Sequence, residues 1–259
     1  MRRELKIEIR GLNFSYPDSS SRSIRDLDLS IEEGKNHAIM GKNGSGKTTL
    51  LKLIAGIHPP DSGSIEFIDG SGETEIGFSP EDPELGFFSK TVREEVEFYP
   101  KNLGKDHETI ADKTLKTVGI AHLSEKLPTV LSSGQQRLVS IASVLSGQPE
   151  IIIMDEPTHS LHSHGEKMIG RILDKIDKTI LFSTHSSDFA FEYADKAVLM
   201  SEGTVQKVGD VRDVLSDREL LKKFGIRIPG LVDWAFENQI EPIPESMEEA
   251  SKLSEEVKD

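Results

Sequence analysis

The sequence predicts an α/β fold built on a mostly parallel sheet. Three short apolar runs, at 151–154, 179–182 and 197–200, have the composition of buried strands. The stretches between them carry helical periodicity, and a glycine-rich loop joins an earlier strand to a helix. Strands that alternate with helices are typical of parallel sheets with their ligands at the carboxyl edge.

Composition limits the function. The 259 residues include 31 Lys and Arg against 45 Asp and Glu, a net charge of −14, and 36% apolar residues, enough for one large or two small cores. The acid excess argues against a nucleic-acid partner, and the absence of cysteine excludes disulfides and thiolate chemistry. No apolar run is long enough to span a membrane, and the first residues lack the apolar region of a secretory signal. We therefore expect a protein in the cytoplasm that reaches a membrane only through partners.

The chain begins with alternating apolar and polar positions, which predict half-buried strands at Leu5, Ile7 and Ile9 and again from Leu27 to Ile31. A strand at 38–40 then leads into a helix over 48–57, ended by His58 and two prolines. Helical periodicity at 92–98, 110–118 and 138–145 predicts a helical subdomain over about 90–147. Positions 236 to 259 hold eight acids and two bases, typical of a solvated helical face or a frayed tail.

The glycine-rich loop matches G-x-x-x-x-G-K-[ST] at every fixed position, after a strand and before a helix. Its backbone N–H groups can converge on a polyphosphate, and the helix adds its positive end. A glycine turn without a ligand is the alternative. The predicted nucleotide-binding residues are Gly41, Asn43, Gly44, Ser45, Gly46, Lys47, Thr48 and Thr49, with Thr48 also a Mg²⁺ ligand.

Two carboxylates, Asp155 and Glu156, follow the apolar run 151–154. Asp155 is suited to hold Mg²⁺ through water, and Glu156 to orient or deprotonate the water that attacks the γ-phosphate. A polar turn that merely ends the strand is the alternative. With the phosphate-binding loop, the pair predicts ATP and Mg²⁺ as cofactors.

Further motifs resemble those of ABC transporter ATPases over residues 5–210. The segment 131–135 resembles the family's L-S-G-G-Q signature, and Asp155-Glu156 and Ser183-Thr184-His185 resemble its later motifs in the right order. The resemblance implies a P-loop NTPase core of ABC ATPase type with an N-terminal antiparallel β subdomain and an inserted helical subdomain. It also implies a nucleotide-binding domain over 1–225, followed by an acidic extension over 226–259.

The resemblance also implies roles for single residues. It implies a head-to-tail dimer like those of ABC ATPases. In such a dimer the signature residues would contact the ATP of the other subunit; they are Ser132, Ser133, Gly134 and Gln135. His185 is similar to the histidine that senses the γ-phosphate, although a surface histidine would look the same. Tyr16 stands in the place of the adenine-stacking aromatic, whereas Phe14 better suits the core.

Two stretches of the sequence indicate a particular subgroup of ABC ATPases. Residues 79–82 with 91–96, and the later segment 218–229, are similar to segments of energy-coupling-factor transporter ATPases. That group implies an importer of a vitamin, nickel or cobalt, with a membrane scaffold subunit and a substrate-capturing membrane subunit. The chain would then lie at the cytoplasmic face of the membrane. A soluble ABC ATPase acting on ribosomes or DNA and a regulatory subunit with little turnover remain the alternatives.

Some positions depart from the family pattern. Phe78 is interpreted as replacing the Q-loop glutamine, Ser133 replaces a glycine of the signature, and His162 replaces an aspartate of the D-loop. The arginine usual after the signature is displaced to Arg137. Because Lys47, Asp155, Glu156 and His185 are retained, these departures predict one half of an unequal heterodimer with a second ABC ATPase. His159, His162 and His164 form a cluster that fits surface histidines better than a metal site.

Overall fold

The computed structural model describes residues 7–17, 21–68, 74–159, 161–244, 249–251 and 253. It has two sheets, one antiparallel with three strands and one of six strands that is mostly parallel, with helices packed around them. The α/β prediction is confirmed. The predicted strand position Leu5 and much of the acidic segment 236–259 lie outside the described residues.

The antiparallel sheet contains β1 (Ile7–Phe14), β2 (Ile24–Ile31) and β4 (Ser62–Phe67) in the order β2-β1-β4. Alternate residues of β1 and β2 are buried, as the period of two in the sequence predicts, except where the pairing shifts register between Ile9 and Phe14. Their inward side chains form one core with the first helix, α1 (Lys47–Ile54). This sheet therefore closes over the helix that follows the glycine-rich loop.

The larger sheet has the order β5-β6-β7-β3-β8-β9. Its first five strands are parallel and β9 pairs antiparallel at the edge. The strands are β3 (Asn36–Met40), β5 (Ile76–Ser79), β6 (Ile151–Met154), β7 (Thr179–Thr184), β8 (Lys196–Ser201) and β9 (Thr204–Asp210). Because β5, β6, β7 and β3 are neighbours and parallel, the segments that follow them meet at one edge of the sheet.

Three helices connect β5 to β6 in the segment where helical periodicity was found. They pack on each other and on the sheet through apolar side chains such as Val96, Leu115 and Ile141. The helices are α2 (Val92–Asn102), α3 (His107–Val118) and α4 (Ser133–Ser146). The later helices are α5 (Ser163–Leu173), α6 (Ser187–Tyr193), α7 (Val211–Ser216), α8 (Arg218–Phe224) and α9 (Gly230–Glu237).

Helix α1 ends earlier than the sequence predicts. Its last helical residue is Ile54 rather than Ile57, because Gly56 adopts a left-handed backbone with φ of 70°. The N–H of Ile57 then turns back to the carbonyl of Lys52, 2.9 Å away. The turn at Gly56 therefore ends the helix before Pro59 and Pro60 are reached.

The described part of the C-terminal extension is not a solvated face throughout. Helix α9 buries Leu231 and Val232 in the larger core, which also includes Ala250, and Ala235 of the same helix is buried as well. The three buried positions of α9 precede the acidic run 236–259. Within the described part of that run, residues 236–239, 241 and 242 are exposed, as a solvated face predicts, whereas Pro244 and Ala250 are buried. Among the residues with a described structure, no helix combines the length and apolar character required to cross a bilayer.

Candidate active site

The glycine-rich loop, residues 41–48, connects β3 to α1 and is called the phosphate loop below. Gly46 precedes α1 with φ of 103°, a conformation that side chains rarely adopt. Gly41 packs so tightly that a Cβ atom there would lie 2.3 Å from the carbonyl oxygen of Met200. The spacing of glycines in the sequence thus corresponds to a loop shape that other residues cannot take.

Lys47 is buried at the start of α1. Its Nζ donates to the carbonyl of Gly41 at 3.1 Å and lies 3.2 Å from Nε2 of His185. The same ammonium lies 3.7 Å from Oε1 of Glu156. Burial lowers the pKa of Lys47, while Glu156 and Asp155 act in the opposite direction. The lysine therefore brings the phosphate loop, Glu156 and His185 together.

Asp155 contacts the loop from the end of β6. Its Oδ1 accepts hydrogen bonds from Thr48 Oγ1 at 3.0 Å and from Ser183 Oγ at 2.6 Å. Ser183 Oγ accepts in turn from the backbone N–H of Glu156 at 2.8 Å. Thr48 and Asp155 thus present neighbouring oxygen atoms, the ligand type that Mg²⁺ prefers.

Glu156 is held in an unusual environment. It is buried, and its backbone has φ of 46°, outside the region that most residues occupy. Burial raises the pKa of the Glu156 carboxyl, and the nearby Asp155 and Glu81 raise it further, while Lys47 opposes them. His185 Nε2 lies 3.0 Å from Glu156 Oε1, and burial followed by Lys47 lowers the pKa of the imidazole. A neutral histidine therefore faces a carboxyl whose charged form is disfavoured.

Lys47, Thr48, Glu156 and His185 line one pocket of about 300 Å³, and Asp155 lies behind Thr48. Ser45 Oγ is buried in the same loop and has no hydrogen-bond partner among the described residues. An orphaned hydroxyl beside a buried lysine and open glycine N–H groups fits a polyphosphate. The lining residues are Tyr16, Ser23, Asn43, Gly44, Ser45, Gly46, Lys47, Thr48, Thr49, Glu81, Glu156 and His185.

The two aromatic candidates are separated as the sequence suggests. Phe14 is 6% exposed and belongs to the core, whereas Tyr16 is half-buried and lines the pocket. The Tyr16 hydroxyl lies 3.4 Å from Thr49 Oγ1, and its ring meets Phe14 edge to face. Tyr16 is therefore placed to offer a ring face at the mouth of the pocket, and adenine stacking stays a prediction.

The signature-like residues do not line this pocket. Ser132 and Ser133 are exposed at the start of α4, and Gly134 and Gln135 are half-buried. Ser132 caps the helix by accepting from the N–H of Gln135, whose side chain accepts from the N–H of Ser132. The segment is thus a rigid exposed helix start, remote from the phosphate loop's own pocket.

The interpretation of Phe78 as the Q-loop position is wrong. Phe78 lies within β5, paired with Ile153, and packs against the core of the antiparallel sheet. The residue after β5 that lines the phosphate pocket is Glu81, which is not among the site residues that the sequence predicts. The signal was available, because Glu81 follows a parallel strand next to β6 just as Asp155 follows β6 itself.

Arg137 fixes the backbone that carries Glu81. Its guanidinium is buried and donates to the carbonyl oxygens of Pro80 and Glu81. Burial lowers the pKa of Arg137, and the nearby carboxylates of Glu81 and Asp155 raise it. The arginine that seemed displaced in the sequence therefore ties α4 to the loop beside the pocket.

The histidine cluster has no visible metal chemistry in the described part of the chain. His159 and His162 are exposed, and the described residues contain no group of three or more His, Cys, Asp or Glu side chains able to hold a metal. The side chain of His164 lies outside the described set.

Comparisons with known proteins agree with this arrangement. Residues 24–159 match the family model described as ABC transporter. The energy-coupling factor transporter ATP-binding protein EcfA of Methanosphaera stadtmanae is 32% identical over 240 residues, covering 86% of each chain. EcfA of Carboxydothermus hydrogenoformans is 33% identical over 265 residues, covering 96% of this chain and 97% of that protein. The solved structure of cbiO1 from Clostridium perfringens, described as part of the ABC transporter complex cbiONQ, has a TM-score of 0.75 at 31% identity, covering 89% and 98% respectively.

Proposed function

The chain belongs to the ABC transporter family of ATPases, and from this premise we propose that it powers an energy-coupling-factor type importer. In this role it couples ATP binding and hydrolysis to uptake of a small molecule through membrane partners. The observation that carries the proposal is that Lys47, Thr48, Glu156 and His185 line one pocket, with Asp155 hydrogen-bonded to Thr48.

Each residue has a role that follows from its chemistry. Lys47 neutralises the β- and γ-phosphates, and Thr48 with Asp155 holds Mg²⁺, which when bound offsets the remaining phosphate charge. Glu156 accepts the proton of the attacking water, because burial raises its pKa toward the range of an effective base. Tyr16 stacks on the adenine.

His185 sits between two groups that compete for one nitrogen. Its Nε2 is 3.2 Å from the Lys47 ammonium and 3.0 Å from the Glu156 carboxylate. A neutral imidazole nitrogen either accepts or donates, so it cannot serve both partners at once. When the Lys47 ammonium moves to contact a phosphate instead, Nε2 of His185 becomes free to donate a proton to Glu156 or to a phosphate oxygen.

The exposed signature segment supports a dimer. Ser133 and Gly134 direct the start of α4 outward, where a helix N-terminus and a hydroxyl can meet an anion. That anion is the γ-phosphate held by a second ABC ATPase in a head-to-tail pair. The departures at Ser133 and His162 favour a partner of different sequence over a second copy of this chain.

An apolar groove of about 550 Å³ supports a membrane partner. It runs between the helices α2 and α4 and the loop after β5, and its rim exposes Phe88, 62% accessible, and Tyr99, 51% accessible. Exposed aromatic side chains around a groove mark an interaction site. We assign the groove to a cytoplasmic segment of the membrane scaffold subunit, which in turn holds the substrate-capturing subunit. Pro80 and Pro83 line the groove on either side of Glu81, so the same loop borders both the scaffold and the nucleotide.

Nucleotide binding tests the site directly. Lys47→Ala is expected to weaken ATP binding at least about a hundredfold in calorimetry, because a buried charge-assisted partner of the phosphates is lost. Lys42→Ala is the matched control, since Lys42 belongs to the same loop but is exposed and does not line the pocket. Equal affinities of the two variants would contradict the assignment.

Co-purification tests the transport role. Phe88→Asp is expected to release the chain from a detergent-extracted complex with a multi-span membrane protein while leaving ATP binding intact. Phe236→Asp is the control, because Phe236 is similarly exposed, at 66%, but lies on α9 away from the groove. Recovery of ribosomal material in place of membrane subunits would favour a soluble ABC ATPase.

A further inference from the structure

Glu81 is an acidic residue of the phosphate pocket for which the proposed ATPase site gives no role. The loop 80–82 follows β5, and Glu81 lines the phosphate pocket together with Lys47, Thr48 and Glu156. Arg137 holds the carbonyl oxygens of Pro80 and Glu81 from the buried side. The backbone of Glu81 is therefore fixed while its side chain is exposed at the pocket.

The other two carboxylates have partners inside the protein. Asp155 accepts from Thr48 and Ser183, and Glu156 lies beside Lys47 and His185. Within the described residues, the carboxylate of Glu81 has neither an ion pair nor a hydrogen bond. It is the acid of the pocket that is free to meet an incoming cation.

The charge balance of the pocket is unfavourable to a bare polyphosphate. Lys47 is the one lysine or arginine among the described residues that line it, and the His185 imidazole stays neutral because its pKa is lowered. Glu81 and Glu156 line it as acids, with Asp155 directly behind Thr48. The buried Arg137 lies behind the loop 80–82 and offsets one of these three acids. A nucleotide without a cation would bring further negative charge next to these carboxylates.

We propose that Glu81 makes nucleotide binding conditional on a divalent cation, by repelling metal-free nucleotide and favouring the cation complex. This rests on the proposed ATPase site and adds a selectivity that Lys47, Thr48 and Asp155 do not supply. The selectivity comes from the negative charge of Glu81. Replacement by glutamine, which has the same shape but no charge, therefore removes the effect, and replacement by the shorter aspartate retains most of it.

The test compares binding of the non-hydrolysable analogue AMP-PNP in excess Mg²⁺ and in EDTA by calorimetry. Glu81→Gln is expected to reduce the ratio of the two affinities about three- to tenfold, mainly through tighter binding in EDTA. Glu81→Asp is expected to keep a ratio near that of the unaltered protein. Asp82→Asn is the matched control, because Asp82 is the adjacent acid and does not line the pocket, and asparagine preserves its cap on the following turn.

The possible outcomes separate the two proposals. An unchanged ratio in Glu81→Gln, or an equal fall in Asp82→Asn, would overturn the role of Glu81 and leave the ATPase site intact. Failure of the unaltered protein to bind AMP-PNP under either condition would instead refute the nucleotide site itself.

Discussion

Glu156 has a strained backbone and a buried carboxyl, and both features favour a catalytic role. Its positive φ and its burial both oppose a structural role, because an ordinary acid after a strand would be exposed and relaxed. The contacts with Lys47 and His185 hold it in place. Such a combination is expected for a group whose function depends on a raised pKa.

Replacement of Glu156 by Gln should separate binding from hydrolysis. The amide keeps the shape and loses the base, so ATP binding is expected to persist while turnover falls about a hundredfold or more. The variant should also trap the closed dimer with a second ATPase, visible by size-exclusion chromatography with ATP. Glu150→Gln, an exposed acid just before β6, is the control. Unchanged turnover would reassign Glu156 to structure.

His37 predicts a dependence of stability on pH. The side chain is 1% exposed in β3; its Nε2 lies 3.1 Å from the carbonyl of Glu32, and burial lowers its pKa below 6.5. The unfolded chain therefore binds the proton more readily than the folded one. The resulting stabilisation is full above pH 6.5 and is lost as the pH falls from there through the lowered pKa.

The measurement is chemical unfolding followed at neutral pH and at mildly acidic pH. His37→Gln is expected to lose part of the acid-dependent fall in the unfolding midpoint. His122→Gln, an exposed histidine, is expected to keep the full dependence. Identical pH profiles for His37→Gln and the unaltered protein would show that the buried imidazole contributes nothing.

At the scale of single residues, the sequence predicted the site well where a motif fixed the spacing. Lys47, Thr48, Asp155, Glu156 and His185 meet as expected. Glu81 was missed because the alignment of short polar segments placed the important position three residues early, inside β5. The strand β5 has only four residues, so its end was not recognised, although Ile76 and Phe78 are residues that favour strands.

Secondary-structure elements were predicted best where burial is complete. The central residues of β6, β7 and β8 are buried and mostly apolar, and these strands were recognised. In contrast, β4 and the edge strand β9 have only exposed and half-buried residues, and they were not. Helix α1 ends at a glycine rather than at the prolines, because the left-handed turn at Gly56 comes first. The buried face of α9 was not predicted, although five of its eight residues are apolar and only Asp233 and Glu237 are acids.

Gly63 illustrates a constraint between strands that the sequence does not display. It lies in β4 with φ of 89°, and a Cβ atom there would meet the backbone oxygens of Gly11 and Arg10 at 2.4 Å and 2.6 Å. Backbone atoms of a paired strand cannot move aside as a flexible side chain can. Close approach of β1 and β4 therefore depends on the missing side chain.

Gly63→Ala is expected to destabilise the protein by about 3 kcal/mol or more, since backbone strain and a steric clash add. Gly34→Ala is the matched control, with φ of 67° and no atom within 4 Å of the new Cβ. It should cost about 1 kcal/mol, the conformational strain alone. The comparison is made by urea unfolding, and equal losses would contradict the close approach of β1 and β4.

At the scale of the whole molecule, one loop lies next to three surfaces. The segment 80–83 borders the nucleotide pocket through Glu81 and the apolar groove through Pro80 and Pro83. Arg137, on the helix that starts with the signature segment, binds its carbonyl oxygens. In the proposed complex, a movement of α4 caused by a second ATPase would therefore be positioned to reach both the nucleotide and the scaffold subunit.

The remaining departures from the family pattern share one surface. Ser133 and His162 are exposed at the starts of α4 and α5. Their neighbours touch, because a Cβ atom on Gly134 would lie 3.1 Å from Leu161 Cδ2. Because Phe78 lies in β5 and outside the site, the features that favour an unequal dimer are this surface and Glu81 in the chain's own pocket.

An unequal dimer predicts low activity for this chain on its own. The isolated chain is expected to hydrolyse ATP slowly, since in a pair of identical chains both sites combine Glu81 with Ser133 and His162. A second ABC ATPase with an intact L-S-G-G-Q segment and a Q-loop glutamine should raise turnover, because each site then receives one standard half. Steady-state ATPase activity of the isolated chain and of the mixed pair measures this.

Two variants in the mixed pair resolve which site responds. Ser133→Gly should raise turnover at the site on the partner's phosphate loop, because it removes a Cβ from the helix end that faces the bound γ-phosphate. Adding Lys47→Ala to the same chain silences its own site, so the gain from Ser133→Gly should persist in the double variant. A gain that vanishes with Lys47→Ala would place the effect in the chain's own pocket, and an isolated chain as active as the mixed pair would contradict the unequal dimer.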